Sequence, residues 1–163
     1  MIVDLERNDL GRIAAIGSVA VDELGAVVAL PGLYHKVSTV SARPRAGATW
    51  ADVLRATFPG GSITGAPKIR AMQIIDELEP IRRGPYGGGL GYVSLTGDMD
   101  IALALRTMVV PTAARDASRW LYHLQAAGGI VADSDTEAEY METVNKAAAL
   151  SRAIDLAEQA FGG

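Results

Sequence analysis

The sequence contains no cysteine. This absence excludes disulfide bonds, thiolate chemistry and cysteine-ligated metal sites, and it is compatible with a reducing compartment. A long apolar run is missing too: the most hydrophobic stretch, residues 101–110, carries Arg106 and is shorter than the about 20 residues that a membrane-spanning helix needs. The first twelve residues are too charged for the apolar core of a signal peptide. We therefore expect a cytoplasmic protein that does not enter the membrane.

An excess of positive charge is also lacking. The net charge is -4, the isoelectric point is near 5.1, and the lysines and arginines do not cluster. This charge pattern gives no reason to expect binding to nucleic acid or to an anionic membrane surface. The 163 residues, of which 49% are hydrophobic and 21% charged, are typical of one soluble globular domain.

Periodicity and turn residues predict an α+β fold, with a mixed, mainly antiparallel sheet and flanking helices. We expect a first helix that ends at Gly11, two short strands separated by Gly25, a third strand over 33–45, and a helix capped by Thr49. A further helix begins at about Pro67, the position in a helix where proline is favoured, and ends before Pro80.

The second half of the chain is expected to contain a hairpin, further strands and a long helix. The hairpin turns at Gly97–Asp98 and its second strand continues through Arg106. One or two further strands over 119–133 are broken at Gly128–Gly129. The last helix starts at Asp135 or Thr136, and its apolar stripe consists of Tyr140, Val144, Ala147 and Ile154.

The last helix carries Glu139, Glu142 and Lys146 on one face, opposite that apolar stripe. Two carboxylates one turn apart suit a hard cation such as Mg²⁺, which takes oxygen ligands together with waters and substrate. The alternative is a solvated face on which Glu142 and Lys146 form an ordinary surface ion pair. The spacing alone favours the second interpretation.

Arg106 is a single arginine on a strand face otherwise occupied by Ala102 and Ala104. A guanidinium group over a surface of small side chains has room to bind a carboxylate through two parallel hydrogen bonds. An outward-facing, solvated arginine fits the pattern equally well.

The glycine-rich segments do not form a nucleotide-binding motif. Lys68 does not directly follow Gly65, so residues 60–68 are not a Walker A loop. This loop is either a structural turn or an anion cradle that presents Ser62 and Thr64 at a helix N-terminus. By pattern alone, His35 is more readily a packed or hydrogen-bonded core residue, whereas Tyr86 is as readily a packing aromatic as a ligand contact.

Residues 1–12, 59–80, 82–107 and 126–147 nevertheless share long motifs with one family: MIVDLERNDLGR, PGGSITGAPKIRAMQIIDELEP, RRGPYGGGLGYVSLTGDMDIALALRT and AAGGIVADSDTEAEYMETVNKA. Together they resemble the chorismate-binding domain of aminodeoxychorismate synthase component I and anthranilate synthase component I. The resemblance runs from Met1 to about Ile154 and implies about half of the chorismate-utilising-enzyme fold.

The resemblance implies a role for nine residues. Glu142 matches a Mg²⁺ ligand, and Glu139 lies beside it as a direct or indirect ligand. The substrate contacts implied are Tyr86, Arg106 and Lys146 for carboxylates, the backbone around Gly128 and Gly129, and Ser62 near the ring. His35 matches a histidine beside the reacting centre, and we assign it a catalytic role.

The family pattern also includes a further Mg²⁺-binding glutamate and a reactive lysine, both upstream of the segment that matches Met1. We therefore expect a partial catalytic domain, with half a metal site, low or no activity of its own and a tendency to self-associate through apolar surface.

The implied activity is Mg²⁺-dependent amination of chorismate for 4-aminobenzoate and folate synthesis, with ammonia from a glutamine amidotransferase subunit. The 59–68 loop favours this branch. Anthranilate synthesis for tryptophan is the alternative, and a non-enzymatic fragment that binds anions or a partner chain is a third possibility.

Overall fold

The structure is a computed structural model that describes residues 2–30, 33–114 and 120–161. It combines α-helices with three small antiparallel sheets, which confirms the predicted α+β class. The chain forms two compact units, Met1–Pro80 with Gly91–Ile101, and Ile81–Leu90 with Ala102–Gly163. Within the described ranges, no helix has the length and apolar character needed to cross a bilayer.

The first unit begins with helix α1 (Ile2–Gly11), followed by the hairpin of β1 (Ala20–Leu30) and β2 (Leu33–Ser41). The prediction of two strands separated by Gly25 was wrong: β1 is one strand with a bulge. The register shifts between Glu23 and Ala26, and Gly25 has φ 67°, a left-handed conformation that glycine adopts without steric cost.

Three helices follow the hairpin. Helix α2 (Trp50–Thr57) has the predicted cap: the Thr49 hydroxyl accepts from the Asp52 backbone N–H, and the Asp52 carboxylate accepts from the Thr49 N–H. The short helix α3 (Gly61–Thr64) occupies the predicted loop. In α4 (Lys68–Leu78), Pro67 is the N-cap rather than the first helical residue.

The second predicted hairpin is present as β3 (Gly89–Val93) and β4 (Met99–Leu103), with Gly97 at φ 95° in the turn. The prediction that its second strand continues through Arg106 was wrong. The Leu105 N–H donates to the Leu103 carbonyl at 2.8 Å, which turns the chain, and Arg106 has φ 51°. Arg106 therefore lies in a turn after β4, not on a strand face.

The second unit contains a two-stranded sheet of β5 (Met108–Val109) and β6 (His123–Leu124), a 3₁₀ turn at Thr112–Ala114, and the long helix α5 (Thr136–Phe161). The strands predicted over 119–133 reduce to the two residues of β6, and residues 125–133 are irregular. The part of that prediction that falls on Arg119 lies outside the described residues.

Few of the side chains that the structure describes are buried. Ile13 and Asp9 retain 3% and 2% of their surface, whereas apolar residues of the β1–β2 hairpin such as Val27 and Tyr34 are largely exposed. A two-stranded hairpin has little stability by itself in water. The exposed apolar surface agrees with the expected self-association, which stays a prediction.

Candidate functional site

Helix α5 begins at Thr136 because Asp135 caps it. The Asp135 Oδ1 accepts from the Ala138 backbone N–H at 2.9 Å, and Glu137 and Glu139 place negative charge in the first turn. Both features stabilise the positive end of a helix. The predicted start at Asp135 or Thr136 is confirmed.

The half-buried face at the start of α5 is polar. Glu139, Thr143 and Lys146 are half-buried, while Tyr140 and Val144 are exposed. The prediction that the apolar stripe packs inward was therefore wrong at Tyr140 and Val144, whereas Ala147 and Ile154 of the same stripe are half-buried. The alternative prediction, a fully solvated face, is also wrong for Glu139 and Lys146, which are half-buried. Glu142 is 53% exposed and fits that alternative.

Specific hydrogen bonds hold this polar face to residues 127–134. The Ser134 hydroxyl donates to the Glu139 Oε1 at 2.6 Å, and the Lys146 Nζ donates to the Ala127 carbonyl at 3.1 Å. Lys146 also forms an ion pair with Glu142. The segment between these anchors contains Gly128, where a Cβ atom would lie 3.0 Å from the Glu139 Oε2.

The charges around Glu142 show which groups approach it. The hydrogen bond from Lys146 lowers the pKa of Glu142 most, the charge of Lys146 lowers it further, and the charge of Arg106 adds a smaller lowering against the opposing effect of desolvation. Arg106 therefore lies near enough to the α5 carboxylate to act on it electrostatically. Among the residues that the structure describes, the Arg106 guanidinium makes no hydrogen bond or ion pair, so its donors are available to a ligand.

Tyr86 lies in a different cavity from the residues of α5. It lines a cavity of about 420 Å³ together with Arg82, His123 and Gln125, and the guanidinium of Arg83 lies 5.7 Å from its ring centroid. A second cavity of about 310 Å³ is lined by Gly128 and Glu139, with Ser134 and Thr143 beside them.

Gly129 is open at its Cβ position, with no atom within 4 Å. The two adjacent glycines, Gly128 and Gly129, therefore have different surroundings, although the resemblance assigned both to the substrate site.

The other two predicted site residues belong to the first unit. Ser62 is exposed on α3, and the hydroxyl of its neighbour Thr64 donates to the Gly60 carbonyl at 3.2 Å. His35 is exposed on β2, paired across the hairpin with Val28. Their predicted roles remain predictions.

Glu139 and Glu142 are the residues that suit a divalent metal. Both offer only oxygen atoms, and Ser134 orients one carboxylate in the way that an outer-sphere partner orients a metal ligand. No group of three or more His, Cys, Asp or Glu side chains suited to a metal occurs in the described part of the chain. Two carboxylates on one helix fit Mg²⁺ when waters and substrate supply the other ligands.

Sequence reasoning missed the residues that orient this face and one buried ion pair. Ser134 and Ala127 lie in the quoted motif at 126–147, but no periodicity or spacing marks them as partners of α5. The buried pair is Asp9 and Lys68, whose Oδ1 and Nζ are 2.8 Å apart. Burial and the negative charge of Asp9 raise the pKa of the neighbouring Glu6. Asp9 and Lys68 both lie in the motifs quoted above, but the 58 residues between them conceal the contact.

Comparison with known proteins identifies the class of protein. The family model described as chorismate binding enzyme matches residues 1–152. The chain therefore belongs to the chorismate binding enzyme family, which confirms the resemblance.

Individual relatives include both kinds of synthase component. The chain is 53% identical over 172 residues to anthranilate synthase alpha subunit 1, chloroplastic, of Arabidopsis thaliana, covering 99% of this chain and 29% of that protein. It is 55% identical over 148 residues to aminodeoxychorismate synthase component 1 of Klebsiella aerogenes, covering 90% of this chain and 31% of that protein.

A solved structure supports the same fold. Anthranilate synthase component I from Streptococcus pneumoniae TIGR4 superposes with a TM-score of 0.79 at 47% identity, covering 90% of this chain and 32% of that chain. The chain thus spans about a third or less of the length of these relatives.

Proposed function

We propose that this chain supplies the substrate-carboxylate and metal-binding residues of a Mg²⁺-dependent, chorismate-aminating synthase. The observation that carries the proposal is the anchored polar face of α5, where the Ser134 hydroxyl holds the Glu139 carboxylate at 2.6 Å and the Ala127 carbonyl holds Lys146 at 3.1 Å. The Arg106 guanidinium, which has no hydrogen-bond or ion-pair partner among the residues that the structure describes, lies in the same unit as a helix face with two carboxylates. Such a pair suits an anionic substrate that binds beside a divalent cation.

Each side chain has a distinct role in this proposal. Arg106 donates two parallel hydrogen bonds to the enolpyruvyl carboxylate of chorismate, with help from Tyr86. Lys146, held by the Ala127 carbonyl, contacts a substrate carboxylate. Glu139 and Glu142 hold Mg²⁺, which when bound neutralises the ring carboxylate and acts as a Lewis acid.

His35 and Ser62 complete the assignment, His35 beside the reacting centre and Ser62 near the ring. Fixed positioning of this kind accounts for a large part of the rate enhancement in many enzymes.

The product that we propose is 4-amino-4-deoxychorismate, with a separate glutamine amidotransferase subunit as the ammonia source. The glycine and serine at positions 60 and 62 support this branch. Anthranilate is the second candidate, favoured by a relative that matches 99% of the chain. The two sequence identities, 55% and 53%, do not decide which product is made.

The experiment is to incubate the chain with chorismate, Mg²⁺ and ammonium and to assay both products by chromatography. Formation of one product identifies the branch, and formation of neither is the result expected of a fragment that only binds.

The metal assignment is tested by replacing Glu142 with glutamine. We expect the chain to bind chorismate in a Mg²⁺-dependent manner in calorimetry, and Glu142→Gln to weaken that binding by about tenfold or more, since a carboxylate ligand is lost. Glu137→Gln is the matched control, because it removes the same charge from the same helix at a position about 140° around the axis from Glu142. Equal effects of the two substitutions, or binding that does not depend on Mg²⁺, would contradict the assignment.

A further inference from the structure

The buried ion pair of Asp9 and Lys68 lies outside the residues assigned to substrate and metal. The Lys68 Nζ is 2.8 Å from the Asp9 Oδ1, and the side chains retain 11% and 3% of their surface. The other carboxylate oxygen of Asp9, Oδ2, is buried and has no hydrogen-bond partner among the residues that the structure describes. Burying two charges is costly, and a pair of hydrophobic residues often stabilises a fold equally well. Stability alone is therefore a weak explanation for this pair.

The position of Lys68 suggests another explanation. Lys68 is the first residue of α4, and its Nζ also donates to the carbonyl of Thr57, the last residue of α2, at 3.3 Å. Lys68 therefore bridges the two ends of the segment 58–67. This segment contains α3 and Ser62, the residue predicted to lie near the substrate ring.

A second contact fixes the same segment to α1. Gly61 is buried against Leu5, and a Cβ atom on Gly61 would lie 2.7 Å from the Leu5 Cβ. Leu5 and Asp9 are four residues apart on α1 and lie on one face of that helix. Helix α1 thus contacts the segment at its middle through Leu5 and anchors its C-terminal end through Asp9.

We propose that Asp9 and Lys68 are positioning residues: the ion pair, with the Lys68–Thr57 hydrogen bond, holds residues 58–67 in the conformation that presents Ser62 to the ligand. The polar contacts of Lys68 fix a distance between two chain ends, which packing by an apolar side chain would not do. The part that concerns ligand binding rests on the proposed function, whereas the ordering of the segment does not.

Amide hydrogen exchange on the 163-residue chain tests the ordering. The amides of Ile63 and Gly65 donate within the segment, to Gly60 and Gly61. We expect Lys68→Met to accelerate exchange across 58–67 by about tenfold, the effect of losing a charge-assisted hydrogen bond. Arg70→Met is the matched control, because it removes an exposed cation and its Glu77 ion pair from the same helix. We expect it to leave that exchange unchanged.

A double variant separates positioning from stability. Lys68→Met leaves a buried carboxylate without its partner and can unfold the chain, whereas Asp9→Asn with Lys68→Met removes both charges and is expected to restore the urea midpoint. We expect segment 58–67 to remain faster in exchange than in the unsubstituted chain even so. Exchange at the original rate in this double variant, or acceleration by the same factor throughout the chain, would overturn the proposal.

Chorismate binding provides the link to function. In calorimetry with Mg²⁺, Ser62→Ala and the Asp9→Asn/Lys68→Met variant should each weaken binding, and combining them should weaken it no further than the stronger one alone, because both act through Ser62. Additive losses would refute the link to Ser62. If the unsubstituted chain binds no chorismate, the proposed function fails, and the exchange experiment still decides whether the pair orders the segment.

Discussion

Replacing Gly128 with alanine would place a methyl group against the carboxylate of Glu139. The added Cβ would lie 3.0 Å from the Glu139 Oε2 and 4.0 Å from the Thr143 Cγ2. Gly128 does not have a left-handed φ, so the alanine backbone itself is not strained. The substitution therefore acts on the position of one carboxylate and leaves the charge of the site unchanged.

The magnitude follows from how far that carboxylate must move. A contact of 3.0 Å requires the neighbour to give by a few tenths of an ångström. Its other oxygen is held by Ser134 at 2.6 Å, so the carboxylate cannot simply rotate away. Metal–ligand distances tolerate about 0.2 Å. We therefore expect the affinity for Mg²⁺ to fall by about 10–100-fold, as when the partner that orients a ligand is lost, or about 1.4–2.8 kcal/mol.

The assay is a titration with Mg²⁺, or with Mn²⁺ followed by paramagnetic resonance, in the absence of chorismate, so that only metal binding is measured. Gly129→Ala is the control, since no atom lies within 4 Å of its Cβ position and the affinity should match that of the unsubstituted chain. Equal metal affinities for Gly128→Ala and Gly129→Ala would refute the assignment of Glu139 to the metal site.

Two further predictions concern the framework. Thr49→Ala should destabilise the first unit by about 1 kcal/mol in urea denaturation. Hydrogen bonds from Thr49 lower the pKa of Asp52. The stabilisation from the capping box is therefore present above the pKa of Asp52 in the unfolded chain and is lost as the pH falls through its pKa in the folded chain. If the loss of stability in Thr49→Ala does not become smaller in acid, the capping box is contradicted. Gly91→Ala should disrupt the β3–β4 hairpin, because its Cβ would collide with the backbone of Asp100. Gly11→Ala is the control, since no atom lies within 4 Å of its Cβ position. Circular dichroism and hydrogen exchange compare the two variants, and a native-like hairpin in Gly91→Ala would count against the pairing of β3 with β4.

The local signals in the sequence predicted the helices well. The start of α5, the cap at Thr49 and the turn at Gly97 all depend on interactions between residues close in the chain, and all three are present. The bulge at Gly25 was not predicted, because the sequence pattern of a glycine between two β-rich runs is the same for a glycine that ends a strand and for one that forms a β-bulge within it. The prediction of a strand through Arg106 was wrong because the alternation of apolar and polar residues does not reveal a residue with a left-handed backbone conformation.

The face of α5 that packs inward was the least predictable feature of the site. A helix in a complete hydrophobic core buries its apolar stripe, and the sequence of α5 offers one at Tyr140 and Val144. The structure instead half-buries Glu139 and Lys146, and the partners that satisfy them, Ser134 and the Ala127 carbonyl, come from an irregular segment without any periodic signal.

The hydrogen bonds of Glu139 and Lys146 to residues 127–134 position these two side chains in the site. A half-buried carboxylate and lysine are stabilised only when their hydrogen bonds are satisfied, and here each has at least one short bond to residues 127–134. Those bonds fix the two side chains relative to the glycine segment before any ligand arrives. Glu142, by contrast, is held among the described residues by Lys146 of its own helix alone, and it stays half exposed. Because a ligand that pairs with Lys146 would compete directly for that contact, an anion that binds here would release Glu142 to a cation. Anion and metal binding at this helix should therefore be cooperative, with chorismate raising the affinity for Mg²⁺ and Mg²⁺ raising the affinity for chorismate by the same factor.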